Sequence, residues 1–316
     1  MTAIPNTPST VPKTECHSLL WSSRPEAFRC GRRGAIVGTS GWLQSFLYLP
    51  LLLLAILMLS PFVWMLVVAL MKPGNALKFR FIPEGPLSTL YSFENFERCV
   101  MSPDFPFLRF FANSLIVAGI SGLLVTLICT VGGYAFAKKR FLGRELLFKI
   151  LLASMLVPGL IYMIPQLTLV IRLGWVNSWY GLIVPHLASV FGLFLMRQHI
   201  ATIPDSLFEA AHMDGAGEAG ILRYVVFPLS IPAMVTLFLL TFLFQWSNFL
   251  WQLVVNTPDS PLRTLPVGLA LFKGQYAIQW EMMMAGACFS VLPIALLFLL
   301  AQRFFIEGLT QGAVKG

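Results

Sequence analysis

Between Ile203 and Leu222 the chain gathers Asp205, Glu209, Asp214 and Glu218 and has no Lys or Arg. Carboxylates this close can ligate a metal, serve catalysis, or pair with a cation on another molecule. Metal ligation finds no support, because His17, His186, His199 and His212 show no ligand spacing with Cys or carboxylates. Cys16, Cys30, Cys99, Cys129 and Cys288 form no CxxC pair. No GxSxG run supplies a nucleophile, so we expect no enzyme in this chain. No GxxxxGK[ST] run occurs, and the glycines at 31, 34, 38 and 41 lack the Lys that would follow, so no nucleotide cofactor is expected. What remains is pairing.

The stretch "TIPDSLFEAAHMDGA" reads as a helix. Thr202 can cap it and Pro204 suits its first turn. Asp205 and Glu209 lie toward the positive end of its dipole. Leu207, Ala210 and Ala211 share a face, with Phe208 adjoining. It stops near Asp214 and Gly215, where glycine can take a positive φ. A second helix starts around Glu218 and runs through Arg223 to Pro228. A helix resting on an anionic lipid surface would be rich in Lys and Arg. This one is acidic and Ala-faced, which favours a knob that docks in a protein groove. Phe208 or Leu207 would be its apolar anchor, and Glu209 would meet a basic residue of the partner.

A second polar set runs through an apolar stretch. Thr241, Gln245, Asn248 and Gln252, at spacings of four, three and four, fall on one helical stripe flanked by Trp246 and Trp251. Tyr162 and Gln166 lie one turn apart in another such stretch, with Ser154 before them and Ser290 further on. Polar groups inside a membrane bond neighbouring helices or line a water-filled path, and both readings stay open here. Trp251 suits an anchor at the outer interface. His186 is the one ionisable group at depth, and beside Pro185 it reads as packing rather than a proton relay.

The elements that hold these sets are membrane spans. Apolar residues make up 57% of the 316 and charged residues 11%, far below the roughly 25% charge of soluble domains. Six stretches reach the length that a bilayer requires: Ser45–Met71, Ala112–Ala137, Ile150–Ile171, Trp179–Met196, Leu229–Val255 and Met282–Phe305. Pro158, Pro165, Pro185, Pro232 and Pro293 lie in or beside them and predict kinks. The fold class is therefore an all-α integral membrane protein. Residues 1–43, rich in Pro, Ser, Thr and Arg, read as a disordered tail, and 44–316 as one membrane domain. The apolar run after the tail is too long for a secretory signal, and Arg32-Arg33 reads as ordinary flanking charge. With both termini cytoplasmic, 14 Lys and Arg lie inside and 8 outside, the contrast being sharpest at "AKKRFLGR". The net charge of +8 is thus explained without nucleic acid. The external loop 72–111, with Phe81, Pro83, Pro86, Tyr91, Phe93, Pro103 and Phe105, would form a small cap with a short surface helix. The acidic loop, 203–228, faces the cytoplasm.

"EAA", three residues, Gly215, nine residues and "VVFP" resemble the EAA loop of ABC importer permeases, EAA-x3-G-x9-I-x-L-P. Glu209, Ala210, Ala211, Gly215 and Pro228 match, while Val225 and Phe227 replace Ile and Leu. "GLIVPHLASVFGLFLMRQHIATIPDSLFEAAHMDGA", "FLFQWSNFLWQLVV" and "GGYAFAKKRFLGR" are similar to the carbohydrate-uptake class, and "FFIEGLTQGAVKG" to the tail of maltose-type permeases of the second-subunit kind. The likeness covers about residues 45–316. It implies six spans of the importer-permease type and a cytoplasmic coupling helix seated in an ATPase subunit. Glu209 would then contact a basic residue of that subunit, Phe208, Ala210, Ala211 and Asp214 would shape the docked face, and Gly215 would make the turn. It also implies that Gly312–Gly316 touch the ATPase pair. The expected partners are a homologous second permease, two cytoplasmic ATPases that use the ATP, an external solute-binding protein and the bilayer.

The resemblance implies import of a sugar or related polyol across the inner membrane by alternating access. Glycerol phosphate is an alternative cargo. A channel or ion-coupled carrier is the rival class, and it would more often place Asp, Glu or His within the spans.

Overall fold

The computed structural model describes residues 41–72, 91–102, 105–270 and 279–313. Residues 1–40, most of the expected tail, lie outside them, as do Phe81, Pro83, Pro86, Pro103 and residues 314–316. Contacts divide the chain into Met1–Ile56, whose described part is the start of the first helix, and Leu57–Gly316, which holds everything below.

Among the described residues the chain is helical, apart from one isolated bridge between Met71 and Tyr91. The helices are α1 (Gly41–Leu70), α2 (Glu94–Met101), α3 (Phe107–Lys138), α4 (Arg144–Ser154), α5 (Gly159–Arg172), α6 (Trp179–Ile183), α7 (Val190–Ala201), α8 (Asp205–Met213), α9 (Glu218–Ile221), α10 (Ile231–Trp246), α11 (Phe249–Val255), α12 (Leu265–Ala270) and α13 (Trp280–Ala313). Helix α1 begins at Gly41, slightly inside the stretch expected to be tail.

The six expected spans are only partly continuous. Helices α1, α3 and α13 are each long and apolar enough to cross a bilayer. The other three spans are bent pairs: α4 with α5 at 100°, α6 and its following turn with α7 at 47°, and Glu218–Leu229 with α10 at 78°. Proline explains the positions. Pro158 stands at the first break with extended backbone (ψ 133°), Pro185 occupies the turn before the second, and Pro228 and Pro232 flank Ser230 at the third. Each removes an N–H and crowds the preceding turn. Pro165 and Pro293 are carried inside α5 and α13. The stretch 229–255 breaks again at Ser247–Asn248, between α10 and α11.

Helix α3 is the hub and packs on α7 and α10. A Cβ on Gly133 would come within 2.9 Å of the backbone of Met196 and Arg197, so only glycine permits this approach of α3 to α7. On the side of α13, Phe107, Phe110, Phe242, Trp246 and Leu265 share a core. Nearer the acidic loop, Val125, Cys129, Tyr134, Met196, Ile200 and Leu237 form another. Leu57, Met58, Phe62 and Val63 of α1, and Leu292, Leu296 and Leu299 of α13, are exposed. Lipid is the natural solvent of such surfaces. A short helix, α2, forms within the stretch expected to be the external loop. Its Asn95 Nδ2 donates to the carbonyls of Ala69 (2.8 Å) and Met71 (2.6 Å), tying it to the end of α1.

Candidate functional site

The acidic loop folds as its local sequence dictates, with one exception at its start. Thr202 does not cap α8: its hydroxyl donates to His199 O at 2.7 Å and closes α7 instead. The residue before α8 is Pro204, whose side chain makes no cap. At the other end Gly215 takes φ 78°. Its N–H reaches His212 O (3.0 Å) and the N–H of Ala216 reaches Ala211 O (2.9 Å). These two bonds satisfy the last carbonyls of α8 in a Schellman motif.

Helix α8 has two faces. Ile203 ahead of it, Phe208 within it, and Ile221 and Val226 beyond it join the core of Tyr134, Met196 and Ile200. The expectation of Phe208 as an anchor for a partner is corrected on this point. The ring is buried in its own chain, stacked on Tyr134 at 6.0 Å, because an aromatic this size gains most from leaving water entirely. Ala211 packs against the same core. The outward face carries Leu207, Glu209, Ala210, Met213 and Asp214, all exposed. Leu207 and Met213 are its large apolar residues.

Charge divides the four carboxylates into pairs. Lys138 Nζ donates to Asp205 Oδ1 at 2.7 Å and to Ile203 O at 2.6 Å. Lys139 Nζ pairs with Glu218 Oε1, and Tyr134 OH donates to Glu218 Oε2 at 2.9 Å. The hydrogen bond from Lys138 holds Asp205 below the usual carboxylate range. Glu218 is held down first by Lys139 and then by Tyr134, and Glu218 in turn raises Lys139. Glu209 and Asp214 have no ion pair among the described residues and remain available to another molecule. Sequence reasoning did not single out Tyr134, Lys138 and Lys139 as partners of the loop. The available signal was "YAFAKK", expected on the same side of the membrane as the loop.

After α9 the backbone widens into a π turn, Leu222–Val226, before Phe227–Leu229 and α10. Pro228 has no N–H to return to Tyr224 and would crowd that carbonyl, and a wider turn relieves both.

The polar set inside the membrane separates into a cleft and a buried network. A cleft of about 760 Å³ is lined by Ser154, Tyr162, Gln166, His186, Thr241 and Gln245 among other residues. Gln166 Nε2 donates to Pro185 O (3.2 Å). Gln245 donates to Ser121 Oγ (3.2 Å) and accepts from Asn248 Nδ2 (3.2 Å), which also lies 3.4 Å from His186 Nε2. His186 is both packed, edge-on to Phe244 and Trp251, and part of the wall. Gln252 and Trp246 do not face this cleft. The break at Ser247–Asn248 ends the single stripe. Gln252 Nε2 donates to Gln245 O at 2.9 Å, a carbonyl near the interruption, and its amide oxygen accepts from Thr264. Trp246 packs on Phe242 and donates to Ser290 O at 3.2 Å. Trp251 is no interface anchor: it is buried and donates to Gly181 O at 3.0 Å. None of the residues lining the cleft is Asp, Glu, Lys or Arg.

Helices of membrane length, three proline-bent spans and a helical loop outside them define a multi-pass membrane protein. Residues 122–310 match the family model of the binding-protein-dependent transport system inner membrane component, and the chain belongs to that family. It is 34% identical over 275 residues to the trehalose/maltose transport system permease protein MalG of Thermococcus litoralis, covering 84% of this chain and 94% of that one. It is 35% identical over 210 residues to the arabinooligosaccharides transport system permease protein AraQ of Bacillus subtilis, covering 66% and 74%. A bacterial ABC transporter involved in the import of the acidic polysaccharide alginate contains a chain with the same fold (TM-score 0.68, 23% identity, 84% and 96% covered).

Proposed function

We propose that this chain is one permease half of an ATP-driven importer for a neutral carbohydrate or polyol. The observation that carries this reading is the division of charge on the loop. Asp205 and Glu218 are held by the chain's own lysines, which leaves Glu209, Ala210 and Asp214 outward on a helix set by the Gly215 turn. That face fits a groove with a basic residue in a cytoplasmic ATPase subunit. Two such ATPases, a second permease and an external binding protein complete the machine, and both termini of this chain lie in the cytoplasm. The relatives named for trehalose, maltose and arabinooligosaccharides support a sugar. So does the cleft, where amide, hydroxyl and imidazole groups meet aromatic rings without a fixed charge. An anion such as glycerol phosphate would call for Arg or Lys along its route.

Glu209→Lys tests the docking role. We expect normal membrane insertion and loss of ATP-dependent uptake in the assembled importer. Unchanged uptake would overturn it. For the cargo, ATP hydrolysis by the complex with its binding protein should be stimulated by neutral sugars and not by their phosphates.

A further inference from the structure

Lys138 and Lys139 are neighbours in sequence but grip opposite ends of the loop. Lys138 is the last residue of α3 and is 12% exposed, so its ammonium needs a partner. It finds Asp205 at the start of α8 and Ile203 O just before it. Lys139 follows with extended backbone (φ −92°, ψ 145°), its N–H still bonded to Ala135 O. Leaving the helix turns its side chain away from that of Lys138 and onto Glu218, the first residue of α9. Each ammonium also lies over a ring of the stacked pair between them, Lys138 over Phe208 at 4.9 Å and Lys139 over Tyr134 at 5.3 Å. Exposed ion pairs contribute little to stability. Two cations from one helix end that bracket an aromatic stack instead fix an orientation, because neither α8 nor α9 can turn about the stack without parting one pair.

The chain itself joins the loop to α7, through residues 202–204, and to α10, through the π turn and a 78° bend. The lysine clamp adds a third connection, to α3. We propose that Lys138 and Lys139 are positioning residues that fix the loop to the end of α3, so that docking movements reach α3 directly as well as α7 and α10. This rests on the proposed docking of the loop to an ATPase and adds the route the movement takes.

The test uses the full chain in its assembled complex in vesicles, with native cysteines replaced and spin labels at the exposed positions Ala219 on the loop, off the docking face, and Leu142 beyond α3. The unaltered clamp should give one sharp distance, the same without nucleotide and with ATP trapped. Lys138→Gln with Lys139→Gln should lose that single distance and broaden it while still capturing the ATPase. Lys139→Glu alone should broaden it, and Lys139→Glu with Glu218→Lys should sharpen it again. A distance that shifts with ATP in the unaltered clamp, or one that stays sharp in the double Gln variant, would overturn the proposal. Capture of ATPase by the unaltered chain is scored separately. Its absence would sink the docking reading, while the nucleotide-free distances would still judge the clamp.

Discussion

The acidic loop and the cleft among the spans are both polar interruptions of an apolar chain, yet they are built in opposite ways. The loop takes its shape from consecutive residues, a proline before α8 and a left-handed glycine after it, and is then tied down by two lysines. The cleft takes its shape from breaks. Its walls come from α4, α5, the turn at Pro185 and α10, which meet because their spans are bent. A local device can be recognised from a local pattern. A cleft made where helices fail to continue cannot be read from periodicity, which assumes that they continue.

Four substitutions and a change of pH test that contrast, in descending order of effect. Phe208→Ala removes the ring that roots the loop in its core and should cost about 3 kcal/mol of stability, read as a lower midpoint in thermal unfolding of the detergent-solubilised chain. No change would mean that the loop is not anchored as described. Gln252→Leu should cost about 2 kcal/mol, because Thr264 is left unpaired in a buried site, with uptake per folded molecule unaltered. Tyr162→Ala at the exposed cleft wall should do the reverse, staying within about 0.5 kcal/mol in stability while weakening uptake. If the two outcomes were exchanged, the assignment of Gln252 to helix packing and Tyr162 to the path would be wrong.

Gly215→Ala forces a Cβ into the left-handed region and should cost roughly 1 kcal/mol, loosening α8 without touching the cleft. The smallest effect is that of pH on the loop. Glu218 and Asp205 are held below their ordinary values of 4.5 and 3.8, so the stability that they lend is present above those values and is lost as pH falls through the depressed ones. Lys139 is raised above 10.5, so its share is complete below that value and is lost only as pH rises through the raised one. Proteolysis of the loop should therefore stay flat from about pH 5 to 9 and increase only at the acid and alkaline extremes. Loosening near neutrality would contradict the lysine clamp.

Much of the loop was legible because its determinants are adjacent in sequence. Glu209, Ala210, Gly215 and the second helix at Glu218 stand where the pattern puts them. Phe208 pointed the wrong way because its partner, Tyr134, lies far off in the chain, and a helix face shows no preference between an internal and an external groove. The internal pairing of Asp205 and Glu218 was hidden for the same reason, since their lysines are 67 and 79 positions away. Within the membrane, Tyr162, Gln166, Thr241 and Gln245 meet at one cleft. Asn248 stands behind the wall, and Gln252 and Trp246 turn elsewhere, because α10 ends at Trp246 without a proline or glycine to announce it. The prolines did foretell the three bends, though not their size.

The central claim is that the chain has no drive of its own and is moved through the outward face of α8. Sealed vesicles holding this chain alone, compared with vesicles holding it beside its second permease, the ATPases and the binding protein, measure this directly. The account predicts sugar accumulation only in the complete assembly, and only with ATP. Accumulation against a gradient in vesicles with this chain alone would contradict it.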